Sequence, residues 1–277
     1  MYLVKDQASR LRTLAKDLDV ASRTALIYDE TPRQIFDFMV VSGKHGVGKT
    51  TLVLSFAVAL AQWGKRVLVV DMDFSSNTFP VYFDTIVEGG VYDFLKNDIE
   101  LTDLIYSHAS GVDFVANHVD LLTDFSFTKK HRTRLITSID RIRERYDYII
   151  ADCAGGISQN TKLISELAKK LLCISTTDPI SIIDSYSLVK YLYQERNKQA
   201  FEIIINQVSS EKLYKESVEK LDTAFGRFLN FNEKTYHKIE YSKLVMKRLH
   251  SQEISQDKDK YLLWAKHIRK TLKQIVS

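Results

Sequence analysis

The chain has 277 residues, room for one large domain or one domain with small appendages, and enough to bury a sizeable core. With 45% hydrophobic and 27% charged residues, the composition excludes intrinsic disorder, collagen-like repeats and a membrane channel. A net charge of +4, from 39 Lys plus Arg against 35 Asp plus Glu, permits contact with an anionic surface without demanding nucleic acid.

The two cysteines, Cys153 and Cys173, each lie in an apolar run, which argues against a disulfide scaffold or a thiolate metal site and fits a reducing cytoplasm. The N-terminal stretch carries charges every few residues, and nowhere do about 18 uncharged apolar residues run together. Neither secretion nor a membrane span is predicted.

In chain order, the first 30 residues stand apart: Ala8, Leu11, Leu14 and Ala15 mark a short amphipathic helix, read as a detachable arm. Val- and Ile-rich runs of strand length then recur at Phe38 to Ser42, Val67 to Asp71, Tyr148 to Asp152, Leu171 to Thr176 and Glu202 to Asn206. They do not alternate, as expected of strands buried on both faces of a parallel sheet. Helical spacing fills Thr51 to Gly64, Lys129 to Arg145, Asn160 to Lys170 and Ile182 to Asn197. Strand and helix in alternation predict an α/β fold with a mainly parallel, helix-covered β-sheet. No linker or internal repeat divides residues 31 to 277, so a second domain is not expected.

Directly after the first strand comes Ser42-Gly43-Lys44-His45-Gly46-Val47-Gly48-Lys49-Thr50-Thr51, and then a helical run. This is G-x-x-x-x-G-K-[ST] in its proper setting of strand, loop and helix, the signature of a P-loop NTPase. Glycines let backbone N–H groups curl around phosphates, and the helix N-terminus adds positive potential. Lys49 suits the β and γ oxygens, and the Thr50 hydroxyl suits Mg²⁺.

A second lysine early in this loop, Lys44, makes the chain resemble the MinD/ParA class of deviant Walker A ATPases. The resemblance implies that Lys44 reaches the nucleotide of a partner subunit, so that ATP fastens a homodimer and completes its active site. His45 stands where the class has glycine. The resemblance also assigns Val70-Asp71-Met72-Asp73: Asp71 near the metal shell, Asp73 orienting the attacking water. Here the following Phe74-Ser75-Ser76-Asn77-Thr78-Phe79-Pro80 is one residue shorter than the usual segment. The strand Tyr148 to Ala151 delivers Asp152 and the Gly155-Gly156 pair, a Walker B pattern in which Asp152 serves Mg²⁺ and the Gly156 N–H serves the γ-phosphate. Ile203-Ile204-Ile205-Asn206-Gln207 matches the segment that reads adenine, with Gln207 replacing arginine. The implied catalytic set is Lys44, Lys49 and Asp73, with Thr50, Asp71 and Asp152 toward metal and residues 43 to 51, Gly156 and Asn206 toward nucleotide.

Asp6-Gln7-Ala8-Ser9-Arg10-Leu11-Arg12 matches D-Q-A-x-x-L-R, which resembles the activator helix of the FlhG (FleN) family, MinD-like ATPases that limit flagellar number. That likeness implies docking of Asp6, Gln7, Ala8, Leu11 and Arg12 on an FlhF-type GTPase of the signal-recognition class. It also implies contacts with flagellar basal-body C-ring components and a flagellar transcription regulator. The stretch Ile174 to Tyr186 is similar to the same family. The alternative is a ParA-like DNA partition or other cargo-positioning ATPase, which predicts nonspecific DNA binding and leaves the arm without a role.

At the C-terminus, Tyr261, Trp264, Ala265, Ile268, Leu272, Ile275 and Val276 recur at helical spacing among Lys266, Arg269, Lys270 and Lys273. A helix over 259–277 could target the inner face of the cell membrane or pack on the sheet, and spacing does not separate the two.

Overall fold

The computed structural model describes residues 33–117, 125–195, 201–229, 231, 234–242 and 262–276. The predicted arm lies outside them. Eight strands form one sheet: β1 (Phe36–Ser42), β2 (Val67–Met72), β3 (Tyr106–Ser107), β4 (Val112–Val115), β5 (Tyr148–Gly155), β6 (Ala168–Thr176), β7 (Phe201–Val208) and β8 (Lys234–Glu240). Their order is β3-β4-β2-β5-β1-β6-β7-β8, parallel throughout except for the antiparallel β3–β4 edge. This is the mainly parallel, helix-covered sheet that the apolar runs predict.

The uninterrupted Val-Leu-Val-Val of β2 is apolar on both sides because both sides are covered. Side chains alternate across the sheet, so Val67 and Val69 enter one layer and Leu68 and Val70 the other. The first layer is closed by α1 (Lys49–Gln62), Phe79 of the short α2 (Phe79–Tyr82), and the C-terminal helix α8 (Leu262–Val276). Against the second lie α3 (Val91–Lys96), α4 (Lys129–Ile142), α5 (Gln159–Ser165), α6 (Pro179–Glu195) and α7 (Glu211–Leu229). Thr128 caps α4 by accepting from the His131 N–H, and Ser158 caps α5 by accepting from Thr161.

Among the boundaries that differ from expectation, two helix ends change in kind. The helix read to Lys170 ends at Ser165, because Ala168 to Lys170 already pair with β1 as the start of β6, Phe36 standing beside Ala168. The helix read to Arg145 is α-helical to Ile142 and finishes as a 3₁₀ turn over Arg143–Arg145.

The α8 helix settles onto the core: Ile268, Leu272 and Ile275 are fully buried among α1 and β8 neighbours. Lys170 donates to the Ile275 carbonyl and so satisfies an otherwise free group at the helix end. Among the described residues, no helix is long and apolar enough to cross a membrane.

Candidate functional site

The site lies where the chain leaves the carboxyl ends of β1, β2, β5 and β7, the edge at which parallel α/β sheets gather ligands. β5 is inserted between β1 and β2, so residues far apart in sequence become neighbours: Asp152 lies beside Val40 on one side and Asp71 on the other.

The loop from Gly43 to Gly48 wraps the start of α1. Gly43 is obligatory in space, since a Cβ there would overlap the backbone carbonyl of Asp184 on α6. Gly48 is obligatory in conformation, with φ of 89° at the helix N-cap, and a Cβ would also sit 2.7 Å from Asn206 Nδ2. Val47 is buried beneath the loop, and its carbonyl accepts from Asn206 Nδ2 at 2.8 Å. His45 is exposed at the rim, its ring 3.2 Å from where a Cβ on Gly155 would lie. Gln207, next to Asn206, holds a left-handed φ of 57°, local strain of the kind found at functional sites.

Lys49 and Thr50 open α1 and converge on one carboxylate. The Thr50 hydroxyl donates to Asp152 Oδ2 at 2.6 Å, and Lys49 Nζ stands 3.6 Å from Oδ1, an ion pair too long for a hydrogen bond. Burial works to lower the Lys49 pKa, but Asp152, Asp73 and Asp71 together hold it above the usual lysine value, so the ammonium stays charged. Thr51 reaches sideways, its Oγ1 3.3 Å from the Tyr82 hydroxyl.

Asp71 and Asp152 are fully buried side by side. Burial, with the charge of Asp152 added, pushes the Asp71 carboxyl well above the usual carboxylate range, while backbone N–H groups of Asp73 and Asn117 oppose the rise. Asp152 is also raised by burial, with Lys49 and Thr50 acting against it. Asp71 Oδ2 and Asp152 Oδ1 are buried without hydrogen-bond partners. Two orphaned carboxylate oxygens next to a threonine hydroxyl fit a hard divalent cation, which takes oxygen ligands and keeps waters of its own. ATP fits the same place through the curled loop and Lys49.

Asp73 follows β2, and its carboxylate oxygen Oδ1 accepts from the Ser75 N–H at 2.9 Å and from the Ser75 hydroxyl. The Gly156 N–H donates to the Ser42 carbonyl at 2.8 Å, so it is engaged within the chain rather than free for a phosphate. Lys44 Nζ lies 2.7 Å from Asp178 Oδ2, just ahead of α6. Asp6, Gln7, Ala8, Leu11 and Arg12 lie outside the described residues.

Three participants were not singled out from the sequence: Asp178, Ser75 and Asn117, whose Nδ2 donates to the Asp73 carbonyl at 2.7 Å. Asp178 precedes Pro179 at the mouth of a helix, a cap signature that marks its place without revealing Lys44 as its partner.

Loop, lysine, threonine and two strand-end aspartates on a parallel sheet define a P-loop ATPase of the MinD/ParA kind. The AAA domain family pattern matches residues 38–203, more than half of the chain, and the chain belongs to that family. Within it, the likeness is to the FlhG/FleN type. The antiactivator FleN of Pseudomonas aeruginosa is 26% identical over 213 residues, 77% of this chain and 76% of that protein. The flagellum site-determining protein YlxH of Helicobacter pylori is 23% identical over 199 residues, 69% of this chain and 67% of its own length. In fold, the chain matches the septum site-determining protein MinD of Pyrococcus horikoshii OT3, complexed with Mg-ADP. The TM-score is 0.67 at 19% identity, covering 86% of this chain and 94% of the other.

Proposed function

We propose that the protein is an ATP-dependent dimeric switch that sets flagellar number and placement. The ATP-bound homodimer and the ADP-bound or free monomer would differ in partner affinity. The observation that carries the nucleotide half of this reading is the convergence of Lys49 and Thr50 on Asp152. The flagellar half is supported by the names of FleN and YlxH and by the D-Q-A-x-x-L-R arm.

In the reaction, water oxygen bonds to the γ-phosphorus, the bond to the β–γ bridging oxygen breaks, ADP leaves with that oxygen, and the water's proton passes to phosphate. Lys49 compensates charge on the β and γ oxygens, and Asp73 orients the water, a task that asks for position more than for basicity. Thr50, Asp152 and Asp71 would hold Mg²⁺, which would supply positive charge against the phosphates. For Gly156 to serve the γ-phosphate, its N–H must leave the Ser42 carbonyl, a rearrangement we assign to ATP binding. Asn206 would read the base only after giving up Val47, so we assign it first the task of bracing the loop. Lys44 would leave Asp178 to reach the partner subunit's nucleotide.

The arm, through Asp6, Gln7, Ala8, Leu11 and Arg12, would stimulate an FlhF-type GTPase. Contacts with basal-body C-ring components and a transcription regulator belong to the same reading. We assign α8 to the core rather than to a membrane surface, because Ile268, Leu272 and Ile275 already face the sheet and are unavailable to lipid. The proposed location is therefore the cytoplasm.

Deleting the gene and counting flagella per cell, with their positions, tests the flagellar claim. Extra or misplaced flagella are expected. Unchanged flagella would move the reading to partition or positioning of another cargo.

A further inference from the structure

We infer that Asn117 is a positioning residue for hydrolysis, fixing the backbone that presents Asp73. The inference deepens the proposed ATPase reading and rests on the role of Asp73 in it.

Asn117 lies two residues beyond the end of β4, fully buried, where the Val70–Val115 pairing carries the chain alongside the end of β2. Its side chain donates from Nδ2 to the Asp73 carbonyl at 2.7 Å, across 44 residues of sequence. Its backbone N–H opposes the rise in the Asp71 carboxyl pKa. Asp71 in turn accepts from the Asp73 N–H at 3.0 Å. Asn117 thus holds Asp73 directly at its carbonyl, while Asp71 holds its amide. With Ser75 bonded to the Asp73 carboxylate, every polar group of Asp73 except one carboxylate oxygen has a named tether.

The chemistry explains why an amide suits this position. The Asp73 carbonyl has the Ser76 N–H only at 3.4 Å, so Asn117 is its close donor, and a neutral donor leaves the charge balance of three neighbouring carboxylates undisturbed. A lysine there would compete with Lys49, and a carboxylate would add repulsion. Asn117 Oδ1 is itself buried without a partner. A core position would shed such an uncompensated group, whereas a site that requires the amide donor carries the orphan oxygen with it.

The test is steady-state ATP hydrolysis by the full chain with four substitutions. Asn117→Ala should lower kcat about tenfold or more while the KM for ATP and the affinity for ADP stay within about twofold, since a small misplacement damages orientation more than binding. Asn117→Ser, which retains a short donor, should recover part of kcat. If Asn117→Ala does not fold, Asn117→Asp keeps the shape, removes the amide donor and should show the same loss.

The decisive readout is the combination with Asp73→Asn. A residue acting through Asp73 adds no further loss once Asp73 is disabled. A kcat unchanged in Asn117→Ala, or an equal loss in the presence and absence of Asp73→Asn, overturns the inference alone. Wild-type turnover in Asp73→Asn overturns the underlying role of Asp73 and this inference with it.

Discussion

Lys44 Nζ and Asp178 Oδ2 are 2.7 Å apart, so the lysine expected to serve a second subunit is held by a carboxylate of its own chain. Lys44 extends from the rim of the phosphate loop, and Asp178 stands at the entry to α6 with its other oxygen 3.4 Å from the Ile180 N–H. Both side chains are 41% exposed, which keeps the pair weak and reversible. A strong bond here would trap the monomer. In the proposed dimeric switch, a weak one would set a threshold for dimer formation that phosphate charge from a partner-bound ATP would exceed.

Asp178→Asn should therefore lower the ATP concentration at which dimers form, by up to about fivefold for so exposed a pair. Lys44→Ala should bind ATP as a monomer and form no ATP-dependent dimer. Sedimentation across an ATP titration reads both, and a Lys44→Ala dimer of normal strength would contradict the crossing role.

Asp73→Asn should leave ATP binding and the dimer in place while turnover falls by a factor of about 100 or more. Equilibrium binding of ATP alongside phosphate release separates the two, and turnover near the wild-type rate would remove Asp73 from the mechanism.

Removing residues 1–20 should spare ATP hydrolysis, because Lys49 and Thr50 on α1, Asp73 after β2 and Asp152 on β5 all lie beyond the removed segment. Stimulation of the FlhF-type GTPase should disappear. A GTPase assay with the truncated chain checks this, and full stimulation would refute the arm's role.

Leu272→Ala should destabilise the protein by about 2–5 kcal/mol, the range for emptying a buried leucine site. The reason is local: Leu272 is completely buried with Ile268 and Ile275 between α8 and the sheet. Denaturant unfolding measures the loss. A change below about 0.5 kcal/mol, as at a surface site, would show α8 lying off the core.

Acid behaviour offers a further check far from the nucleotide. The Arg66 side chain, by hydrogen bonding, holds the Asp147 carboxyl down from 3.8 to about 2. A carboxyl lowered on folding contributes stability that is whole above its unfolded value and vanishes as pH falls through the folded one. The contribution should therefore fade between pH 3.8 and about 2. Arg66→Ala should return the Asp147 titration, followed by carbon NMR, toward its ordinary position, and an unmoved titration would contradict the pairing.

The central strands were legible in the sequence because burial on both faces writes itself as an unbroken apolar run, as in Val67 to Val70. β8 was not, since Lys-Thr-Tyr-His-Lys-Ile-Glu is an edge strand whose polar residues meet solvent and neighbouring charges. α7 went unread for a related reason: its buried Leu221 and Phe225 are thinly spaced among charged residues. Lys169 and Lys170 passed for the end of a helix, although Lys170 points toward Glu202 and the α8 terminus from a strand. Gly43 through Thr51 were readable as a site because the loop is contiguous. Asp178 and Asn117 act on Lys44 and Asp73 across 134 and 44 residues, and no local pattern records a contact made only by the sheet order.

The central claim is that ATP, and not ADP, joins two copies of the chain. The most direct measurement is the solution mass of the Asp73→Asn protein, which should hold ATP unhydrolysed, with Mg²⁺ and either ATP or ADP. A dimer is expected with ATP and a monomer with ADP. The same mass with both nucleotides would contradict it.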